Sequence, residues 1–338
     1  MMAFEDLLRP TDKGLYCPPG DFYVDPVRPV ERAVVTHGHA DHARAGHGAV
    51  LATPETIAIM AARYGAEFTR TRQSAAYGEV VPVNGVDVSL APAGHVLGSA
   101  QAVIEKDGVR IVVSGDYKRR ADPTCAGFEV VPCDVFITEA TFALPVFVHP
   151  DTNEEIRKLL ASVAQFPERT HIVGAYALGK AQRVIKLLRE EGYDAPIYIH
   201  GAMQKLCDLY RDWGVDLGPL EPATIEKRGA KQDFTGKIVV APPSAIQDKW
   251  ARRFADPLAV FASGWMQIRQ RVRQRGVELP LQISDHADWC ELTQTIREVG
   301  AQEVWITHGR DDALMRWAEL NGVAARPLRL VGYDDEAE

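Results

Sequence analysis

The sequence predicts an α/β protein in which one domain is interrupted by another, and three observations predict it. Short runs rich in Val and Ile, of the kind that form buried strands, recur in the first part of the chain and end on His, Asp or Glu. From about Pro150 to Leu279 the pattern changes to alternating strand-like and helix-like segments. The acid and imidazole endings then resume at His286 and His308. We therefore expect residues 1–148 and 281–338 to form one discontinuous domain and residues 149–280 an inserted α/β domain.

Taken in order, "AVVTH" ends at His37, "VSLAPAGH" leads to His95, "IVVSGD" ends at Asp116 and "VFITEA" carries Glu139. Beyond the insert, "LQISDH" leads to His286 and "VWITHG" carries His308. Strand ends are where sheet-based enzymes gather polar groups, because the strands are packed and the loops beyond them face a cleft. Six such endings imply one convergent site. In the insert, "HIVGA", "PIYIH", "KIVVAPP" and "AVFASG" read as strands. They alternate with the helix-like "NEEIRKLLASVAQF", "GKAQRVIKLLREEG", "AMQKLCDLYRDWG" and "GWMQIRQRVRQRG", which predicts βα units on a mostly parallel sheet.

Composition narrows the function classes. Of 338 residues 46% are hydrophobic and 25% charged, as in an ordinary globular protein, and the net charge is −8. A polyanionic substrate would need a local basic patch or a metal to offset that charge. Asp334–Glu338 reads as a short solvated acidic tail. The five cysteines are scattered, odd in number and never in a C-x-x-C pair, which argues against a disulfide scaffold or a zinc knuckle and fits a reducing cytoplasm. No run is long enough to span a bilayer and the start carries no secretory signal, so neither membrane association nor secretion is expected.

The strongest signal is "VVTHGHADHARAGH". In an extended loop His37 and His39 point the same way and can grip one ion. Asp41 and His42 diverge and suit a second position. Imidazole with carboxylate favours Zn²⁺, with Mn²⁺ or Fe²⁺ possible. Four ligands in six residues strain a single tetrahedral ion, whereas two ions roughly 3.5–4 Å apart use them naturally, the geometry of two-metal hydrolysis. His47 lies beyond the cluster and reads as ordinary surface.

H-x-H-x-D-H after a strand resembles the metallo-β-lactamase fold, a four-layer αββα sandwich with metals at the sheet edges. The resemblance implies one divalent metal (Zn or Mn) on His37, His39, His95 and Asp116, and a second on Asp41, His42, Asp116 and His308, with Asp116 bridging. It implies a supporting role for Asp25 in "FYVDP". Glu139 in "TEATF", His286 in "SDHAD" and His308 in "ITHG" match the narrower β-CASP nuclease group, whose cap is the insert. "YALGKAQ" in the insert resembles the "ALGRAQ" of the cleavage-and-polyadenylation endonucleases. "LYCPPGDFYVDPVRP" and "GDYKRR" are similar to the bacterial ligase-associated DNA exonucleases.

The resemblance implies a two-metal phosphodiesterase acting on nucleic acid, DNA before RNA, with an ATP-dependent DNA ligase as functional partner. Asp41 and Asp116 would share in catalysis, His286 would contact the phosphate or leaving oxygen, and Glu139 would orient it. Gly179 and Lys180, at a strand-to-helix turn, and Lys118 in "YKRR" (Tyr117 to Arg120) are the expected substrate-binding residues. An RNA endo- or exonuclease is the alternative, because the best-known DNA-cleaving β-CASP enzymes, related to Artemis, carry Val where this chain has His308, while RNA-cleaving ones carry His. A thioesterase or lactonase would share the H-x-H-x-D-H loop but lack the cap and the Glu139/His286 pair. Arg269, Arg271, Arg273 and Arg275 read as a solvated helix face, His149, His171 and His200 as structural, and Trp250, Trp265, Trp289, Trp305 and Trp317 as core or domain-seam residues.

Overall fold

The computed structural model describes residues 3–224, 234–254 and 256–330; the acidic tail expected at Asp334–Glu338 lies outside them. A short helix α1 (Phe4–Leu7) leads into a six-stranded sheet: β1 (Arg9–Thr11), β2 (Gly14–Cys17), β3 (Phe22–Val24), β4 (Arg32–Val34), β5 (His47–Ala52) and β6 (Thr69–Ser74), in that spatial order. The first three strands are antiparallel and the last four parallel. Between β5 and β6 runs α2 (Pro54–Tyr64). Thr53 caps it by accepting the Thr56 N–H, and Pro54 at the first turn needs no donor.

The second sheet starts as a meander, β7 (Val81–Val83), β8 (Val86–Pro92), β9 (Ala100–Lys106) and β10 (Val109–Val113), then continues parallel into β11 (Val135–Ala140). Asp107-Gly108 closes the β9–β10 hairpin with φ of 50° and 80°, the left-handed pair that a two-residue turn needs to match strand twist.

The insert follows. Its elements are α3 (Thr152–Gln165), β12 (Thr170–Gly174), α4 (Lys180–Glu190), β13 (Ile197–Ile199), α5 (Gln204–Asp212), β14 (Leu220–Pro222), β15 (Ile238–Ala241), α6 (Pro243–Ile246), β16 (Pro257–Ala262), α7 (Arg269–Gln274) and β17 (Leu279–Leu281). The strands form one sheet in the order β14-β13-β15-β12-β16-β17, and every pairing in it is parallel, as the βα alternation requires. The chain then re-enters the second sheet through α8 (Trp289–Val299), β18 (Glu303–Gly309), α9 (Asp312–Leu320) and β19 (Ala325–Pro327), with β18 parallel to β11. An Asp288/Glu291 capping box starts α8.

Period-two alternation divides the apolar side chains of the two sheets among three clusters. Val34 and Leu51 of the first sheet share a core with Val88, Ile104, Ile111, Ile137 and Trp305 of the second. The opposite face of the second sheet, Val103, Val112, Phe136, Val304 and Ile306, packs on Leu292, Ile296 and Val299 of α8 and Leu314 of α9. The opposite face of the first, Ala33, Val50 and Ala52, packs with Met60 of α2. Burying each large side chain of this kind contributes roughly 1.5–3 kcal/mol, so the two sheets are held firmly by their shared core.

Contacts divide the chain into one unit made of residues up to Val148 and from His286 onward, and another of His149–Asp285. The second boundary thus falls after Asp285 and not after residue 280, because β17 pairs parallel with β16 in the insert's sheet. A second expectation is corrected as well. His47 is not surface: it opens β5 at 1% exposure, its Nδ1 accepts the Val30 N–H, and burial pushes its pKa down.

Candidate metal centre

The ends of β4, β8, β10, β11 and β18 carry or lead into His37, His95, Asp116, Glu139 and His308, all in the first unit. Among the described residues two groups bring one ligand atom each to within 4.8 Å of one another: His37, His39, His95 and Asp116; and Asp116, Glu139 and His286. Asp116 is common to both. His39 Nδ1 lies 3.2 Å from His37 Nε2 and 3.0 Å from His95 Nε2, while Asp116 Oδ2 lies 3.5 and 3.8 Å from the same two nitrogens. Two ligand atoms on a tetrahedral Zn²⁺, each about 2.0–2.1 Å from it, stand roughly 3.3 Å apart. The first group therefore has the spacing of a coordination shell, and its three imidazoles and one carboxylate are the donor chemistry of Zn²⁺ or Mn²⁺.

The other expected set is looser. His42 Nε2 stands 3.5 Å from Asp116 Oδ2 and 3.6 Å from Asp41 Oδ2, and the His308 ring stacks on His42 with centroids 5.1 Å apart. His308 has φ of 52°, a left-handed bend at the end of β18.

Electrostatics favour a cation here. Burial, reinforced by His42, His95, His39 and His286, holds the His37 pKa well below the ordinary imidazole value. Burial lowers His308 to about 3. Both rings are thus neutral, the form that ligates metal. Burial opposes charge on His42 too, but Asp116, Asp41 and Asp25 outweigh it and raise its pKa to about 10. Burial lifts Asp116 to about 7 against the pull of His42 and His286. Three carboxylates around one ring favour a positive charge there, and a divalent ion bound at His42 Nε2 would take the place of that proton.

Surrounding groups fix the donors. Asp25 accepts the Thr36 N–H at 2.8 Å and the Thr36 hydroxyl at 2.6 Å, and its Oδ2 stands 2.8 Å from His42 Nδ1, which directs His42 Nε2 toward Asp116. Gly115 has φ of 55°, and a Cβ there would stand 2.7 Å from Thr36 Oγ1, so Asp116 reaches the cluster only because a glycine precedes it. Ser99 Oγ accepts the His95 and Val96 N–H groups, and the hydroxyls of Thr53 and Thr56 donate to Gly98 O, anchoring the His95 loop to α2. Glu139 takes the Tyr117 N–H at 2.8 Å and faces His286 Nδ1 with both oxygens, at 3.1 and 3.0 Å. The Tyr117 carbonyl accepts the Ala287 N–H at 2.6 Å, so the backbone after Asp116 clamps the backbone after His286. Thr36, Ser99 and this Tyr117 clamp escaped the sequence reading, since their partners are distant in sequence. The one available signal was that ligating histidines need their second nitrogen oriented by a polar neighbour.

The residues expected to bind substrate have partners inside the fold. Lys118 is fully buried. Its ammonium donates to Gly94 O at 2.7 Å and pairs with Asp122 at 2.8 Å. Arg119 pairs with Glu298, and Arg120 with Asp288 and Glu291, so "YKRR" is committed to internal partners. In the insert, Lys180 is fully buried, 3.4 Å from Asp285 and over the Tyr176 ring, and the Gly179 N–H donates to Gln182 Oε1 at 2.8 Å. These groups are occupied in the fold, which a sequence motif cannot reveal.

Two sheets sharing one core, with an imidazole–carboxylate cluster at the strand ends, define a metal-site protein of the metallo-β-lactamase class. The chain belongs to the β-CASP branch of that class. It is similar to the "Probable DNA ligase" of Opitutus terrae, 27% identical over 90% of this chain and 30% of that protein. It is also similar to "Cleavage and polyadenylation specificity factor subunit 3" of Dictyostelium discoideum, 30% identical over 71% of this chain and 37% of that protein. A third relative is "Endoribonuclease YSH1" of Saccharomyces cerevisiae, 33% identical over 39% of this chain and 18% of that protein. The chain thus spans about a third of the length of the first curated relatives it matches. Among solved structures, a protein of unknown function from Enterococcus faecalis matches with a TM-score of 0.60 over 90% of this chain and 80% of that one, at 13% identity. No family model matches the chain.

Proposed function

We propose that the chain is a two-metal phosphodiesterase that hydrolyses nucleic acid, a DNA exonuclease of DNA repair working alongside an ATP-dependent DNA ligase. One observation carries the reading: Asp116 belongs at once to the His37/His39/His95 group and to the Glu139/His286 group, so a metal site and an acid–base pair share one carboxylate. When bound, divalent cations such as Zn²⁺ or Mn²⁺ would supply Lewis acidity and a lowered pKa for water. The chain's residues divide the rest of the work. His37, His39, His95 and Asp116 would hold one ion, and Asp41, His42, Asp116 and His308 the other. Glu139 faces His286 Nδ1 and orients the ring, so that with both nitrogens protonated its Nε2–H would donate to a phosphate oxygen or to the leaving oxygen. The four-layer αββα reading rests on α2 against one sheet and α8 and α9 against the other.

The ligase association is supported by the Opitutus terrae relative, a protein named as a ligase that contains a stretch aligned with nine-tenths of this chain. A cytoplasmic setting is supported by five cysteines, none of them in a disulfide. No helix among the described residues is long and apolar enough to cross a membrane. RNA cleavage is the second reading, favoured by His308 and by relatives named as endoribonucleases. The test is a panel of end-labelled single- and double-stranded DNA and RNA with Mn²⁺ or Zn²⁺. Loss of terminal nucleotides from DNA, with RNA untouched, is the expected result. Cleavage of RNA alone would promote the second reading. Inactivity on every strand, with turnover of a thioester or lactone, would overturn both.

A further inference from the structure

The geometry points to a docking surface for a nucleic-acid strand on the insert, built on α7 and the aromatic rings beneath it. This inference rests on the nucleic-acid reading above and names a contact surface separate from the metal centre. From Trp265 to Gly276 the chain carries four arginines and no acid, although the whole protein has a net charge of −8. Arg269 and Arg273 are exposed, one helical turn apart, so their side chains lie on one face. Arg271 lies 4.0 Å over the Trp265 ring and Arg275 lies 4.8 Å over the Phe261 ring. A guanidinium held over an aromatic face is ordered before any partner arrives, so less side-chain entropy is lost on binding.

The local acids are committed elsewhere. Glu278 forms a two-point pair with Arg169 at 2.8 and 3.0 Å, and Asp256 stands 3.2 Å from the same guanidinium. Asp248 accepts the Lys249 N–H. Among the described residues no carboxylate lies within ion-pair distance of Arg269 or Arg273. The surface also extends. Gln247 donates to the Arg275 carbonyl at 3.0 Å, which sets the start of the next basic stretch, with exposed Lys249 and Arg253, beside the end of α7. Arg253 lies 5.5 Å from the Trp250 ring.

The occupant follows from the chemistry. A protein partner would be anchored by large apolar side chains at the centre of the contact, and α7 exposes none. Cations with interleaved glutamines, Gln270 and Gln274, instead suit a repeating phosphodiester backbone, which is met by charge and hydrogen bonds and asks for no base-specific contact.

The test uses the full chain in EDTA, so that strands stay intact, and a labelled single-stranded DNA titrated at several salt concentrations. The same titration is run with RNA of the same sequence and with poly-glutamate. Arg269→Gln with Arg273→Gln is expected to weaken strand binding about tenfold at low salt. It should also reduce the slope of log K against log salt by about 1.4, the sum for two phosphate contacts on a single strand. Turnover of the small diester bis(p-nitrophenyl) phosphate with added metal should be unchanged, since neither arginine belongs to the metal centre. Unchanged affinity and slope in the double variant would overturn the proposal, as would poly-glutamate binding as tightly as the strands. No hydrolysis of the small diester by the parent protein, with the loss of strand binding still observed, would sink the phosphodiesterase reading while leaving the docking surface standing.

Discussion

Replacing Lys118 by Met removes an ammonium that the protein has fully enclosed. Lys118 is 0% exposed and its partner Asp122 has a side chain 3% exposed; the ammonium also reaches Gly94 O at 2.7 Å and His95 O at 3.4 Å. Breaking a buried pair from one side removes the ion pair while the other charge stays buried, at a cost of about 3–5 kcal/mol. Against a total stability of about 5–15 kcal/mol, that is a large share. The loss should appear as a lower urea midpoint in the metal-free protein. Asp122→Asn in the Lys118→Met background should recover about 2 kcal/mol. It neutralises the carboxylate that has lost its ammonium while keeping the acceptor that Thr124 uses, at 2.9 Å from its N–H and 2.6 Å from its hydroxyl. A single variant that loses less than about 1 kcal/mol, or a double variant less stable than the single, would refute the assignment of Lys118 as an internal anchor.

Two further outcomes are expected at the metal centre. Asp25→Ala removes the carboxylate that orients His42 and should weaken metal affinity about 10–100-fold by calorimetric titration; unchanged affinity would show that His42 is held by other means. His286→Ala should keep the full metal complement by elemental analysis while turnover falls about 10²–10⁴-fold, and a variant with intact turnover would remove His286 from the reaction.

How much of this was legible depends on distance along the chain. "VVTHGHADH" announced itself because its donors are neighbours in sequence, and the strand endings at Asp116, Glu139 and His308 did so because strands place their ends together. The parallel insert was readable from alternating strand and helix patterns for the same reason. What stayed hidden were decisions made in three dimensions. Lys118 and Lys180 look like phosphate ligands in a motif, yet Asp122 and Asp285 meet them inside the fold. His47 looks like loop surface until β5 starts with it. The boundary at Asp285 depends on β17 choosing β16 as its neighbour, a choice that three residues of sequence cannot express.

The pairing of β11 with β18 also sets an order of events during synthesis. His37, His39, His95 and Asp116 all emerge before the insert is made, whereas Glu139 waits for His286 and the second sheet waits for β18. At ribosomal speeds of about 5–20 residues per second, the interval from Glu139 to His308 lasts roughly 10–30 s. The first four clustered groups are therefore on one continuous stretch of chain, while Glu139 can meet His286 only after the whole insert has been made.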